Sequence, residues 1–471
     1  MHILFATAEL RPLVSTGGLG EAAWGLVEAL RRAGHEVDVV VPDYRLGGEP
    51  WPLAGQAPVP ALDLPAWAQE PTVRHGTHPD AGPVFLVGGP GLDRPHPYVD
   101  ASGVGYPDND LRFAAFSVAV GQLANRLRPD LVQLNDWHTG LVPPFLDPDI
   151  ASVLTIHNLA HQGWTNGGWL HELPRLRRDY ARGDAMNVLA GAIRTVDAVV
   201  AVSRTYAGEI TTPAGGMGLD DVLRWRGDDL HGIRNGIDTL VWDPATDPLI
   251  PRDYTTTNLA GKSVARAVLL DRFGWDEPDK ATPTMVMVTR LFDQKGVDLA
   301  FALVPYLRRM RARFVVLGSG EEHLADRGRT LMGEHPDHFA FVDGFDLPLA
   351  HLLFAGGDLY LMPSRFEPCG LAQMQAMAYG TIPLVTPVGG LVDTVTDADD
   401  SSDGTGFVAT SVDGPGVVDV VHRGVAAWRN AARRRAIIRR AMSTDWSWDG
   451  PAAAYAAVYR KVMERPRPAA R

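Results

Sequence analysis

The sequence predicts an α/β protein built on two doubly wound parallel sheets, and three observations carry that expectation. The chain is 471 residues long, too long for one module at roughly 100 to 200 residues per domain. Short apolar runs alternate with amphipathic segments, the pattern of parallel strands covered by helices on both faces. That alternation starts afresh after a break near residues 243 to 262, where DPATDPLIP and YTTTN interrupt it with prolines and polar residues.

In chain order, residues 2 to 8 form a first apolar strand. Ala23, Leu26, Val27 and Leu30 then recur at helical spacing, Gly34 ends that helix, and Val37 to Val41 completes a strand, helix, strand unit. LVQLND (131–136), SVLTIHN (152–158) and DAVVAVS (197–203) read as further strands. Beyond the break, TMVMVTR (284–290), ARFVVLGSG (312–320), FAFVDGF (339–345), DLYLMPS (358–364) and IPLVT (382–386) are strands, with helices expected over 298–310, 321–334, 349–355 and 370–379. The expected domains are 1–245 and 246–445, followed by a C-terminal segment, 446–471, that ends in a loose tail, RPRPAAR. Open parallel sheets bind ligands beyond the carboxyl ends of their strands, so two facing sheets imply a deep interdomain cleft.

Composition narrows the function. With 45% hydrophobic and 21% charged residues the chain has material for more than one core and no case for disorder. A net charge of -12 argues against a general nucleic-acid or anionic-membrane surface, though a local basic site for a phosphorylated small molecule is compatible. Only Lys262, Lys280, Lys295 and Lys461 are lysines, which makes their positions informative. The single Cys369 excludes an internal disulfide and a cysteine-rich metal site, which fits a reducing compartment. The start HILFATAEL has no basic leader, and no apolar run reaches the ~18 residues of a membrane span. A cytoplasmic protein is expected.

The unusual residues fall at strand ends. STGGLGE (15–21) places Gly17 and Gly18 where a backbone can turn sharply and offer amides to an anion, although paired glycines in a turn are common. NDWHTG (135–140) brings Asp136, Trp137 and His138 to a sheet edge, and TIHN (155–158) ends another strand with His157. Acid, imidazole and indole together suit a sugar, whose hydroxyls need polar partners and whose ring needs an aromatic face. In TRLFDQKG (289–296), Arg290 and Lys295 can neutralise a diphosphate, one as a fork and one as a point charge. In SRFEPCGLAQ (364–373), Gly370 and Leu371 open a helix whose amides can receive a phosphate, while Glu367 can accept from ring hydroxyls. Cys369 reads as a small buried residue, and PVGGLVDTV (387–395) adds a second glycine turn.

With these motifs, and with NGIDTLVWDPATD (235–247) and SWDGPAAAYAAVYRKV (447–462), the chain resembles the bacterial glycogen synthases and plant starch synthases, retaining glucosyltransferases of the two-Rossmann GT-B type, over nearly its whole length. The resemblance implies an N-terminal acceptor-binding domain, a C-terminal nucleotide-sugar domain, and a last helix, within 446–471, returning to the first domain. It implies transfer of an α-glucosyl unit from ADP-glucose or UDP-glucose to the non-reducing end of an α-1,4-glucan, with no required metal and no cofactor, the nucleotide sugar being a substrate. Carried over by motif, Arg290 and Lys295 hold the donor diphosphate, and Glu367, Gly370, Leu371 and Gln373 bind the donor sugar and phosphate. His157 lies over the reacting sugar; Asp136, His138, Asn158 and Asn235 line the pocket; Gly17 and Gly18 serve the nucleotide sugar and Tyr98 its base.

Three positions depart from the family pattern: Ser15 replaces the lysine of KTGGL, Ala372 a threonine, and Glu21 an aspartate. On these departures the sequence favours a specialised relative, one passing a sugar or aminocyclitol unit from a nucleotide carrier to a maltose-like acceptor, as in acarbose-type pseudo-oligosaccharide synthesis. The alternatives are glycogen synthase itself and, in another class, a non-catalytic glucan-binding protein. A phosphorylase would need pyridoxal phosphate on a lysine, and none of the four lies in a suitable motif.

Overall fold

Residues 1–68, 71–89, 91–275 and 282–467 are described in the computed structural model; Lys280 and the end of the expected tail, 468–471, lie outside the described residues. The chain forms two units, Met1–Gly236 joined by Trp448–Arg471, and Ile237–Ser447. The sequence expectation sets these boundaries at 245 and 445. No helix among the described residues is long and apolar enough to cross a membrane.

In the first unit the strands are β1 (His2–Ala6), β2 (Glu36–Pro42), β3 (Ala54–Ala57), β4 (Thr72–His78), β5 (Gly82–Gly88), β6 (Leu131–Asn135), β7 (Ala151–Ile156), β8 (Trp164–Asn166), β9 (Ala181–Arg182), β10 (Ala185–Asn187), β11 (Ala198–Ala201) and β12 (Leu230–Gly232). Nine make one sheet in the order β12-β11-β7-β6-β1-β2-β5-β4-β3, and β8-β10-β9 make a small sheet of their own. The central strands are parallel, as their uninterrupted apolar runs predict. Phe5 aligns with Val39 on one side and Gln133 on the other. At one edge β4 and β3 run antiparallel, a departure from the purely parallel expectation. Those strands carry Gly, Thr, His and Arg with β3 exposed throughout, so no apolar run marks them.

The helix Gly18–Arg32 buries Ala23, Leu26, Val27 and Leu30 against this sheet. The last helix, Asp449–Met463, packs into the same core, where the Tyr459 hydroxyl donates to Gln133 at 2.9 Å and the Tyr455 hydroxyl lies 3.2 Å from that of Thr155. Close approach fixes Gly25 here: a Cβ would lie 2.0 Å from the Trp448 indole nitrogen.

The second unit holds β13 (Thr284–Leu291), β14 (Arg313–Gly320), β15 (Phe339–Asp343), β16 (Leu359–Met362), β17 (Ile382–Val385) and β18 (Phe407–Val408), all parallel, in the order β15-β14-β13-β16-β17-β18. The helix expected over 298–310 is broken into Val297–Phe301, a 3-10 turn Val304–Tyr306, and Leu307–Met310. Pro305 is the cause, since it has no N–H and its ring collides with the carbonyl four residues back.

The polar tract after residue 243 is anchored in this unit. Asp247 is buried, accepts from His351 Nδ1 at 2.7 Å and from the Tyr379 hydroxyl, and Trp242 stacks on His351 with centroids 4.1 Å apart. Lys262, in the helix Ala260–Arg272, is also structural: its buried ammonium donates to the carbonyls of Ala355, Gly357 and Tyr379 and to the Thr381 hydroxyl at 2.9–3.0 Å.

Candidate active site

At the carboxyl ends of β1, β6 and β7, the first unit gathers most of its expected site residues. The buried Glu9 carboxylate follows β1 and organises the glycine loop: it accepts from Thr16 N at 2.6 Å, from the Thr16 hydroxyl at 2.9 Å and from the Tyr98 hydroxyl at 2.8 Å. Ser15 donates its hydroxyl to Gly17 O at 3.2 Å. Gly17 is the N-cap of the helix Gly18–Arg32 and supplies no side-chain cap, so the first-turn amides keep their capacity to bind an anion.

Asp136 leaves β6 with φ +55° and ψ -174°, a conformation costing a non-glycine residue about 1–3 kcal/mol and typical of functional sites. Its Oδ1 accepts from His157 N at 2.7 Å. Burial pushes the carboxyl up to about 7; the amides of His157 and Asn158 oppose that shift and the Glu9 charge adds to it. The His157 ring meets Asn135 Oδ1 through Nε2 at 2.9 Å, and desolvation lowers its pKa to about 3, so it is neutral at working pH. His138 is likewise held neutral, by burial first and then by His161 and Arg112. Its Nδ1 has no hydrogen-bond partner among the described residues, and its ring lies 4.4 Å from Trp137, 4.6 Å from Phe113 and 5.0 Å from Tyr98. Desolvation, then Glu9, raises the Tyr98 phenol. Asn158 caps its own turn by accepting from Ala160 N at 3.0 Å, and Asn235 is buried just past β12.

The second unit supplies the cations. Lys295 ends a tight turn after β13, and its Nζ lies 2.6 Å from Glu367 Oε2; both side chains are largely buried, and the Ser364 hydroxyl donates to the same oxygen at 3.2 Å. Gly296 makes that turn possible: its φ is +63°, and a Cβ would stand 2.0 Å from Pro363 O. Arg290, at the end of β13, is exposed, with its guanidinium 5.4 Å from the Phe292 ring centroid and no ion pair among the described residues. The helix expected from 370 begins instead at Ala372, because Gly370 has φ +75°, with Leu371 as N-cap. Gln373 locks this corner, donating from Nε2 to Cys369 O at 3.0 Å, Gly370 O at 3.1 Å and Thr394 Oγ1 at 3.0 Å. Gly390 N donates to Glu367 O at 2.9 Å, tying in the second glycine turn.

The structure thus pairs Lys295 with Glu367, His157 with Asp136, and Tyr98 with His138. It leaves Arg290 and the Asn158 side chain outside those pairs. Sequence reasoning passed over Glu9 and Asn135. An acid at the end of an apolar strand marked the first, and the parallel register that sets Asn135 beside Thr155 marks the second.

Two Rossmann-like units carrying sugar- and phosphate-competent residues at their strand ends define a glycosyltransferase of the GT-B class. The family model described as starch synthase catalytic domain matches residues 2–225, that of glycosyl transferases group 1 matches 273–421, and the glycogen synthase of Anaeromyxobacter sp. (strain Fw109-5) is 42% identical over 98% of this chain and 99% of its own. The chain belongs to the glycogen and starch synthase family and is a hexosyltransferase of the glycogen synthase type. Glycogen synthase 1 of Methylococcus capsulatus is 38% identical over 98% of this chain and 97% of its own. The catalytic domain of starch synthase IV from Arabidopsis thaliana, solved bound to ADP and acarbose, superimposes with a TM-score of 0.88 at 29% identity, covering 98% of this chain and 99% of that one. These relatives favour the glycogen synthase alternative over the specialised acarbose-type enzyme that the departures suggested.

Proposed function

We propose that this enzyme is a glycogen synthase, transferring an α-glucosyl unit from ADP-glucose or UDP-glucose to the 4-hydroxyl at the non-reducing end of an α-1,4-glucan with retention of configuration. The observation that carries the reading is the Lys295–Glu367 pair, buried between two glycine-dependent turns and 2.6 Å apart. A diphosphate oxygen competes with Glu367 for the Lys295 ammonium, and Glu367 then accepts from donor-sugar hydroxyls. Arg290, already without a carboxylate partner among the described residues, takes the phosphate as a bidentate fork.

As the anomeric C–O bond breaks, its electron pair passes to the departing diphosphate and positive charge grows on the sugar. Arg290, Lys295 and the Gly370 and Leu371 amides stabilise the first change, the kind of fixed electrostatics that supplies the largest catalytic contribution. The acceptor hydroxyl attacks the anomeric carbon and passes its proton to the leaving phosphate. The neutral His157 and the Asp136 beside it meet the reacting sugar, while the Trp137 and His138 rings present an aromatic wall.

Incubation with glycogen or maltohexaose and each of ADP-glucose, UDP-glucose and a dTDP-linked aminocyclitol, with products read by mass spectrometry, tests the proposal. Successive hexose additions with a glucose donor are expected. Transfer from only the aminocyclitol donor, to maltose alone, supports the specialised enzyme instead. Glucan binding with no release of nucleoside diphosphate supports the non-catalytic class.

A further inference from the structure

We infer that Asn135 is a positioning residue that fixes His157 as its Nε2–H tautomer and leaves Nδ1 as a bare acceptor. The catalytic consequence rests on the proposed placement of His157 at the reacting sugar; the tautomer rests on hydrogen bonding alone.

Asn135 ends β6 and is 1% exposed. Its Nδ2 donates to Ala6 O at 2.9 Å. That contact fixes the orientation of the carboxamide, because the reversed orientation would set two carbonyl oxygens against each other. Oδ1 therefore faces His157 Nε2 at 2.9 Å. A carboxamide oxygen only accepts, so Nε2 carries the proton. A neutral imidazole has one N–H, and Nδ1 is left with its lone pair.

The backbone of Asn135 is itself clamped, since the Thr139 hydroxyl accepts from Asn135 N at 2.9 Å and lies 3.1 Å from Asn135 O. Consecutive residues at one strand end thus hold His157 twice, Asn135 by the ring and Asp136 by the amide. The titratable and charged groups about this corner are Asp136, on which the Glu9 charge acts, and His138, on which His161 and Arg112 act. None of them offers the ring nitrogens a competing hydrogen bond among the described residues.

The test uses the full chain labelled with [15N]histidine, with the His157 signals identified by their loss in His157→Gln. The two nitrogens of a neutral imidazole have well-separated shifts. Native His157 is expected to show the Nε2–H form alone from pH 6 to pH 9. In Asn135→Leu both tautomers are expected, with kcat lowered about 100-fold and the donor KM unchanged. In Asn135→Asp, which keeps an oxygen opposite Nε2, His157 is expected to protonate at higher pH than in the native enzyme. That variant also keeps the inference open to refutation if the leucine variant does not fold. An Nδ1–H signal in the native protein overturns the inference, as does an unchanged His157 titration in Asn135→Asp. Absence of transferase activity with every donor would instead sink the proposed function, while the tautomer signal still decides this point.

Discussion

Replacing Asp136 by asparagine isolates the stability penalty of a buried charge at the strand end. The native carboxyl titrates at about 7 because it is desolvated, against 3.8 for an ordinary aspartate. A raised folded pKa means that the acid's stabilising contribution is complete below pH 3.8 and is lost as pH rises through 7. At about 1.4 kcal/mol for each tenfold change in acidity, the full loss is about 4 kcal/mol above pH 7. Asparagine keeps the oxygen that accepts from His157 N and has no proton to lose. Asp136→Asn should therefore match the native protein near pH 4 and exceed it by about 2–4 kcal/mol at pH 8, while glucosyl transfer falls. Urea midpoints measured from pH 4 to pH 8 give the difference directly. A gap independent of pH, or one favouring the native protein at pH 8, refutes the argument, because Asp136 would then be ionised in the folded state at no cost.

The second unit yields three further expectations. Glu367→Gln removes the charge opposite Lys295 and should lower kcat about 100-fold, roughly 3 kcal/mol, and, because a largely buried ammonium then loses its carboxylate, should also lower the melting temperature, as steady-state kinetics and calorimetry will show. Arg290→Ala should raise the donor KM and lower kcat/KM by a similar factor without destabilising the protein, because the exposed guanidinium has no ion pair to lose among the described residues. Lys262→Met removes a buried donor from three carbonyls and a hydroxyl, of which Tyr379 O keeps the Tyr254 hydroxyl and Gly357 O the Thr381 hydroxyl, so denaturant unfolding of the second unit should become easier by about 1–3 kcal/mol; no loss would show that water replaces the ammonium.

Much of this architecture was legible because parallel strands announce themselves as unbroken apolar runs, and the polar residues at their carboxyl ends stand out against them. His157, Asp136 and Glu367 were found that way. The β3–β4 edge was not, since strands rich in Gly, Thr and His look like loops until a neighbour supplies their hydrogen bonds. Pro305 was a readable signal for a broken helix, yet the apolar spacing on either side outweighed it. The anchoring of Asp247 by His351 and Tyr379 had no local signature, because its partners come from more than 100 residues downstream. The same holds for the grip of Asn135 on His157, which only the pairing of β6 with β7 creates.

The course of the chain through its two units has a consequence for biogenesis. Residues 237–447 form one uninterrupted stretch, whereas the first unit closes only when Trp448 and the helix after it are added. At about 5–20 residues per second on the ribosome, the first nine-stranded sheet waits roughly ten to forty seconds, its surface around Gly25, Gln133 and Thr155 uncovered, while the second unit emerges. Nascent chains of this enzyme should therefore depend on chaperone protection of their earliest segment, and release of that protection should coincide with the emergence of Tyr455 and Tyr459.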